Sequence, residues 1–151
     1  MPPEYTLRPG TPADFDFYKF LHHDLFKGHI SEIWGWDEAQ QDKIAAEEFA
    51  ESGISIIQIE GRNAGVLQVE EKPQQFHVSQ LWISREFQGR GIGSAVTGEL
   101  LKTAEIKGFS VRLHVLKTNH GARRFYERFG FVPDGESPHG GGFYMRKDPD
   151  L

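Results

Sequence analysis

Helical spacing of apolar residues dominates the first third of the chain. A short strand is predicted at 5–8. The Thr-Pro-Ala-Asp motif at 11–14 then supplies an N-cap, a proline at the first helical position and an acid in the first turn. Apolar residues recur at helical intervals from there to Gly28, which is placed to end this helix. A second helix is predicted from a capping box at 37–40 to about Glu51.

Strand patterns replace the helical ones from Ile54 onward. The segments 54–59 and 64–69 are strand-like, and the turn signal Glu-Gly-Arg-Asn between them predicts a β-hairpin. A second turn at 73–75 leads into a third strand at 76–84. Three consecutive strands joined by short turns predict an antiparallel meander.

The last third of the chain alternates between helices and strands. Helical spacing predicts a helix over about 91–107 and a short one over about 122–129, each followed by glycine. Residues 111–115 alternate as a strand between them, and Phe131 and 143–146 belong to the final strands. The predicted order is β-α-α-β-β-β-α-β-α-β-β, which is a mixed α/β sheet with no repeat and no domain linker.

The composition is typical of one globular domain over residues 1–151. The chain is 38% hydrophobic and 26% charged, long enough to bury a core but short for two domains. No apolar run is long enough to cross a bilayer, and the first five residues lack the basic-then-apolar pattern of a signal peptide. We therefore expect a soluble, cytoplasmic protein.

The absence of cysteine narrows the possible chemistry. The chain has no disulfide, no thiolate metal ligand and no cysteine nucleophile, so any nucleophilic sulfur would come from a cofactor. The seven histidines show no H-x-x-x-H spacing, and we predict no metal site. A formal net charge of -5 argues against nucleic acid as a partner, and local dipoles would have to hold an anionic cofactor.

The densest chemical signal is a glycine-rich turn between the third strand and the third helix. Its residues are Gln88, Gly89, Arg90, Gly91, Ile92, Gly93 and Ser94. Unpaired backbone N–H groups and the positive end of the helix dipole make such a turn suitable for binding an anion. No P-loop lysine follows, and the spacing G-x-G-x-G differs from the dinucleotide fingerprint G-x-G-x-x-G.

This turn resembles the cofactor-binding motif of the GNAT superfamily of N-acetyltransferases. Gln88, Gly91 and Gly93 match the family pattern Q/R-x-x-G-x-G/A. Downstream, 119–131 resembles the family segment N-x-x-A-x-x-F-Y-E-x-x-G-F. The resemblance covers about 77–131. It implies the GNAT fold, a twisted, mixed but mostly antiparallel sheet of six or seven strands flanked by about four helices.

The resemblance also implies that acetyl-CoA is the acetyl donor and lies along the third strand. The main chain of Leu81, Trp82 and Ile83 would pair with the amides of the pantetheine arm, as an added strand would. A backbone N–H group there would polarise the thioester carbonyl as the amine attacks.

The downstream motif contributes further cofactor contacts and the expected acid. Asn119 either caps the following helix or also contacts the cofactor, and Ala122 and Phe125 are assigned to the cofactor with it. Tyr126 lies on an apolar stripe and, without the resemblance, would be interpreted as a core tyrosine. The resemblance implies that its phenol protonates the departing thiolate. The unperturbed pKa of a phenol, about 10, lies above that of a thiol, about 8.5.

The base that deprotonates the amine has several candidates. Strand alternation places His77 on the same face as Leu81 and Ile83, at a position where some family members carry a glutamate base. Glu70 and Glu71 at the end of the neighbouring strand are carboxylate alternatives, and water-relayed deprotonation is a further one.

Two features near the expected acceptor site are open to two interpretations. Trp34 and Trp36 either pack the turn before the second helix or form an aromatic wall for the acceptor. The His-Gly-Gly-Gly segment at 139–142 is either a flexible hairpin connection or a border of the acceptor cleft.

These observations predict an N-acetyltransferase that moves an acetyl group from acetyl-CoA directly to a primary amine of a small molecule, peptide or protein. The alternative is a non-catalytic acyl-CoA-binding module or sensor, against which Tyr126 counts. A nucleotide-dependent oxidoreductase is disfavoured by the glycine spacing. The acidic excess slightly favours a cationic acceptor, and the resemblance, with an exposed late strand, is compatible with a homodimer.

Overall fold

Residues 4–150, the part of the chain that the computed structural model describes, contain seven strands and four α-helices. The strands are β1 (Thr6–Pro9), β2 (Ile54–Ile59), β3 (Arg62–Lys72), β4 (Gln75–Ile83), β5 (Ser110–Leu116), β6 (Val132–Glu136) and β7 (Gly142–Lys147). The helices are α1 (Phe15–Ile33), α2 (Glu38–Phe49), α3 (Ile92–Lys107) and α4 (His120–Arg128). The predicted order of elements is confirmed. Across this described stretch, no helix combines the length and apolar character needed to cross a membrane.

The strands form one mixed sheet in the order β1-β2-β3-β4-β5-β7-β6. Neighbouring strands are antiparallel except β4 and β5, which are parallel and are connected by α3. The predicted meander is β2, β3 and β4. The antiparallel pattern is therefore interrupted by the parallel pair of β4 and β5, in the middle of the strand order.

Helices cover both faces of the sheet. On one face, which we call the α3 face, Val96 of α3 packs in a cluster with Val78 and Leu113, and α4 packs against the same cluster. On the other, the α1 face, Tyr18 of α1 packs against Trp82 of β4 in a smaller cluster. Strands β2, β3 and β4 therefore present side chains to two separate apolar layers.

A β-bulge interrupts the pairing of β3 with β4. Val78 pairs with Val69, and Gln80 pairs with Gln68, so Ser79 is an extra residue on β4 between two regular pairs. Such a bulge shifts the side-chain alternation by one residue along the strand that carries it.

The bulge corrects one expectation about His77. Val78 belongs to the α3-face cluster, and Leu81 and Ile83 pack against that same cluster although they lie an odd number of positions after Val78 along β4. Trp82 is on the α1 face. His77, next to Val78, therefore also lies on the α1 face, and the expectation that it shares a face with Leu81 and Ile83 is wrong.

Helix α1 is longer than its sequence indicates. It continues through Gly28 to Ile33. Ile30 is buried, and His29 Nδ1 lies 2.8 Å from Thr118 Oγ1, beyond the end of β5. These tertiary contacts outweigh the cost of about 1 kcal/mol for a glycine inside a helix. As a result, α1 crosses the sheet from β3 to the loop that follows β5.

Gly65 allows β3 to approach β4 closely, and a substitution at this position tests that packing. A Cβ atom at this position would collide with the carbonyl oxygen of Trp82, whereas Gly98 in α3 has open space around it. Gly65→Ala should lower the free energy of unfolding by about 1–3 kcal/mol through overpacking. The control Gly98→Ala should raise it by up to about 1 kcal/mol through helix propensity. Urea unfolding of both variants is the measurement, and a Gly65→Ala protein as stable as the parent would contradict this packing.

Candidate active site

The glycine-rich turn leaves the amino-terminal end of α3 without a capping side chain. Gly91 is the N-cap residue and has a φ of 79°, and Gly89 has a φ of 77°. The first turn of α3 contains no acidic residue. The backbone N–H groups of this turn therefore receive no side-chain cap, and the positive end of the helix dipole is not neutralised by a carboxylate. This end of α3 is suited to a phosphate group.

The remaining residues of the turn have distinct positions. The Gln88 side chain donates a hydrogen bond from Nε2 to the carbonyl oxygen of Ile83, 2.9 Å away, and so fixes the turn to the end of β4. The exposed Arg90 guanidinium lies 5.3 Å from the centre of the Phe87 ring. Ile92 is buried in the core, so only its backbone is available to a ligand.

Helix α4 lies beside this end of α3. The Asn119 side chain caps α4, its Oδ1 accepting a hydrogen bond from the backbone N–H of Ala122 at 3.2 Å. The ring of Phe125 approaches Gly93 so closely that a Cβ atom there would lie 3.7 Å from Phe125 Cζ. The structure therefore brings together the two motifs that are separated by more than twenty residues in the sequence.

The parallel strands β4 and β5 separate at the centre of the sheet. Their pairing ends at Val78 and Leu113, although β4 continues to Ile83 and β5 to Leu116. The part of β4 that contains Leu81 therefore presents its edge to a gap. A peptide-like ligand could pair with such an edge as an added strand does.

A narrow cavity lies under this gap on the α3 face. Its walls include Leu81, Thr97 and Tyr126. The Thr97 hydroxyl is buried and has no hydrogen-bond partner within residues 4–150. A buried hydroxyl without a partner costs about 1–3 kcal/mol, and this one belongs to a residue that lines the cavity.

Tyr126 is the titratable residue of this cavity. Its ring packs edge-on against Phe125 and Phe131, with centroid distances of 5.1 and 5.4 Å. Burial raises the pKa of the Tyr126 hydroxyl above its ordinary value, so the phenol keeps its proton at neutral pH. The same apolar walls would also raise the pKa of a thiol bound there, which keeps proton transfer between the two groups feasible.

Two histidines lie near Tyr144 on the α1 face. The ring centroid of His114, on β5, is 5.4 Å from that of Tyr144, and the centroid of His77 is 6.5 Å from it. Burial lowers the pKa of both imidazoles, and it is the strongest influence on each of them. The positive charges of Lys72 and Arg112 lower the pKa of His77 further, against the opposing Glu70. Both imidazoles are therefore neutral at pH 7 and able to accept a proton.

His114 is a site residue that the sequence reasoning missed. The alternation Val-Arg-Leu-His-Val at 111–115 predicts that Arg112 and His114 share the polar face of the strand, and the structure shows this arrangement. Glu71, one of the carboxylate alternatives, lies 3.3 Å from Lys107 of α3. It is therefore tied to the opposite face from His77.

Glu48 of α2 is a second residue that the sequence reasoning missed. Its Oε2 accepts a hydrogen bond from Nε2 of Gln80 at 2.9 Å, and its backbone carbonyl accepts one from Gln68 at 2.9 Å. Gln68 in turn accepts a hydrogen bond of 2.7 Å from the Tyr18 hydroxyl. This network connects α1 and α2 to the two glutamines that face each other just above the bulge. Burial raises the pKa of Glu48 to about 7, and the nearby charge of Glu51 adds to the effect.

The two tryptophans have separate environments. Trp36 donates a hydrogen bond from Nε1 to Glu38, and its ring packs against His23 with a centroid distance of 5.0 Å, so it packs the turn before α2. Trp34 is 53% exposed, and its ring lies against Gly141 in the connection between β6 and β7. The end of α1 and the 139–142 segment therefore meet at the rim of the α1 face.

A polar cluster of His23, Glu38 and Asp42 joins α1 to α2. His23 Nε2 lies 2.7 Å from Asp42 Oδ1 and 3.8 Å from Glu38 Oε1. The shorter distance is that of a direct hydrogen bond, and we interpret the cluster as a link between the helices. Spacing along the sequence did not reveal it because its members come from two different helices.

Comparison with known proteins identifies the family. A model described as the Acetyltransferase (GNAT) family matches residues 17–131. The chain belongs to this family. An uncharacterised N-acetyltransferase of Methanocaldococcus jannaschii is 26% identical to this member of the GNAT family over 141 residues. The aligned region covers 84% of the chain and only 60% of that relative.

Solved structures confirm the GNAT fold. PaiA N-acetyltransferase from Thermoplasma acidophilum, crystallised in complex with coenzyme A, superposes with a TM-score of 0.76 at 17% identity, covering 96% of this chain and 99% of that one. The ribosomal-protein-S18-alanine N-acetyltransferase from Escherichia coli superposes with a TM-score of 0.64 at 16% identity, covering 98% and 96%. The seven strands and four helices of residues 4–150 match this fold class as expected.

Glu48 should make stability depend on pH. Its pKa is about 7 in the folded protein against an ordinary 4.5, so the folded state binds more protons between these values, and stability falls as pH rises through this window. Glu48→Gln should therefore be more stable than the parent at pH 8, by up to roughly 3 kcal/mol, and should match it near pH 4.5. Urea unfolding at several pH values is the measurement. The exposed Glu47→Gln is the control and should follow the parent; a constant offset for Glu48→Gln would contradict the assignment.

Proposed function

We propose that residues 1–151 form one N-acetyltransferase domain that transfers an acetyl group from acetyl-CoA directly to a primary amine. The observation that carries the proposal is the gap between β4 and β5 next to the uncapped end of α3. A phosphate site and a free strand edge, side by side, suit a ligand that combines a pyrophosphate with an amide-containing arm.

The residues present fit this cosubstrate. Backbone N–H groups between Gly89 and Ser94 would hold the pyrophosphate, with Arg90 free to add a charge. The backbone of β4 from Leu81 to Ile83 would pair with the pantetheine amides. The unpartnered hydroxyl of Thr97 supports the same location, because it leaves a hydrogen bond for a ligand in the cavity. When bound, acetyl-CoA supplies the activated acetyl group.

The acceptor would approach from the α1 face. Tyr126 and the cavity occupy the α3 face, whereas the neutral imidazoles of His77 and His114 lie on the opposite one. An imidazole there would take a proton from the ammonium form of the amine, whose nitrogen then forms the new C–N bond. A backbone N–H of β4 would stabilise the charge on the carbonyl oxygen. As the C–S bond breaks, the Tyr126 phenol would give its proton to the sulfur, and the second proton lost by the amine nitrogen as the amide forms would pass through solvent and restore the phenol.

The uncapped turn of α3 can be tested by a pair of glycine substitutions. Gly93→Val places a branched side chain in the first turn of α3, where the phosphates would approach the backbone, whereas Gly98→Val makes the same change at an exposed position of the same helix. Calorimetry should show at least a tenfold loss of CoA affinity for Gly93→Val only. Equal affinities in the two folded variants would place the phosphate site elsewhere.

Tyr126 distinguishes catalysis from binding alone. Tyr126→Phe removes the hydroxyl and keeps the ring that packs against Phe131. If the phenol protonates the leaving sulfur, kcat should fall by roughly 10- to 1000-fold while CoA affinity stays near that of the parent. The measurement is thiol release with acetyl-CoA and the best substrate from a panel of primary amines, between pH 6 and 10. An unchanged kcat would leave Tyr126 as a packing residue. A parent protein that binds CoA but acetylates none of the amines would favour an acyl-CoA sensor.

A further inference from the structure

Glu48 lies on the side of β4 from which the acceptor would enter. Its carboxylate accepts a hydrogen bond from Gln80. Gln80 precedes Leu81 on β4, so its side chain lies on the face of the sheet opposite to that of Leu81, which is the α1 face. His77 lies on this same α1 face, on the other side of the bulge. The Glu48 carboxylate and the imidazoles thus share one face of the sheet, while Tyr126 is on the other.

One oxygen of this carboxylate is available. Oε2 accepts the hydrogen bond from Gln80, and within residues 4–150 no side chain donates to Oε1. The residue is only partly buried, so the free oxygen can be reached from solvent. Such a carboxylate is fixed in orientation by Gln80 and still has the capacity to accept two further hydrogen bonds.

The surroundings of Glu48 lack a positive charge among the described residues. From the sheet it meets the neutral side chain of Gln80 and, through its backbone, Gln68; from α1 the facing titratable group is the Tyr18 phenol. On its own segment the nearest charges are the carboxylates of Glu47 and Glu51, and both oppose its ionisation. A partly buried carboxylate without a cation is costly when ionised, and a cationic ligand would relieve that cost.

We propose that Glu48 binds the ammonium group of the acceptor and selects positively charged amines. This inference rests on the proposed N-acetyltransferase function. The ammonium donates hydrogen bonds to the free Oε1 of Glu48, which holds the acceptor on the α1 face near the imidazoles of His77 and His114. Glu48 acts in binding, and the proton that leaves the amine goes to an imidazole. A charge-assisted hydrogen bond in this setting is stronger than one between neutral groups.

Three proteins test this role: the parent, Glu48→Gln, and the exposed neighbour Glu47→Gln as a matched control. Glu48→Gln preserves the acceptor oxygen for Gln80 and removes the charge. The acceptor is the best primary amine from the panel, at saturating acetyl-CoA, assayed at pH 6 and pH 8.5. The guanidine analogue of that amine serves as a competitive inhibitor, because its charge does not change over this range.

We expect Glu48→Gln to raise the KM of the amine and the inhibition constant of the guanidine by roughly 10- to 100-fold at pH 8.5, with kcat within about threefold of the parent. At pH 6 the ratio of variant to parent should shrink to roughly 2- to 10-fold, because a carboxyl with a pKa of about 7 is then about nine-tenths protonated. Taking this ratio cancels the titration of the histidines. Glu47→Gln should stay within about twofold of the parent at both pH values, because the Glu47 charge is the weakest of the influences on the pKa of Glu48.

Two results would overturn the proposal. One is a KM and inhibition constant for Glu48→Gln within about twofold of the parent at pH 8.5. The other is a loss confined to kcat, which would make Glu48 a proton acceptor and not a binding residue. Both results require a parent protein that acetylates an amine, so either one would refute the role of Glu48 without refuting the N-acetyltransferase function. A parent that releases no thiol with any amine refutes that function first.

Discussion

The site depends on the loss of pairing between β4 and β5 at the middle of the sheet. Parallel strands normally continue their ladder, but here it stops at Val78 and Leu113, immediately before the bulge residue Ser79. Beyond the bulge, the edge of β4 that faces β5 has no partner strand among residues 4–150. Because β5 remains paired with β7, the gap is held open from both sides. A short connection that contains a 3-10 turn at Arg85–Phe87 leads from β4 to the uncapped end of α3, which brings the strand edge and the proposed phosphate site into one region of the chain.

The same bulge divides the chemistry between two faces. Without the extra residue, His77 would follow the alternation of Leu81 and point toward α3. With it, Leu81 lines the cavity of Tyr126, and His77 and Gln80 face the α1 side. A transfer reaction needs a proton donor near the leaving group and a proton acceptor near the incoming amine, on opposite sides of the reacting carbon. In the mechanism that we propose, one inserted residue in β4 provides that separation.

The order of elements and the glycine turn were predictable because both follow from local signals, namely periodicity and residues that demand a positive φ. The end of α1 was not. Gly28 is a reasonable stop by local propensity, yet the contact of His29 with Thr118 extends the helix. The face of His77 was also missed, because regular alternation was assumed along the whole of β4. The apolar positions Phe76 and Val78 change phase to Leu81 and Ile83 across two consecutive polar residues, which is the trace that the bulge leaves in the sequence. Glu48 joins the site through Gln80, thirty-two residues away, and only the folded chain brings them together.

Two polar side chains near the gap lower the stability of the folded state. The Thr97 hydroxyl is buried without a partner in the described chain, and Glu48 is a partly buried carboxyl with no cation beside it. Replacing either by a neutral isostere should stabilise the protein on physical grounds, since each removes an uncompensated desolvation. Neither group is needed to complete the apolar layers, which are formed by other side chains. They lie on opposite faces of β4, one toward the proposed acetyl donor and one toward the proposed acceptor. Polar groups with unused hydrogen-bonding capacity on both sides of β4 are what a site would show if its ligands supply the missing partners.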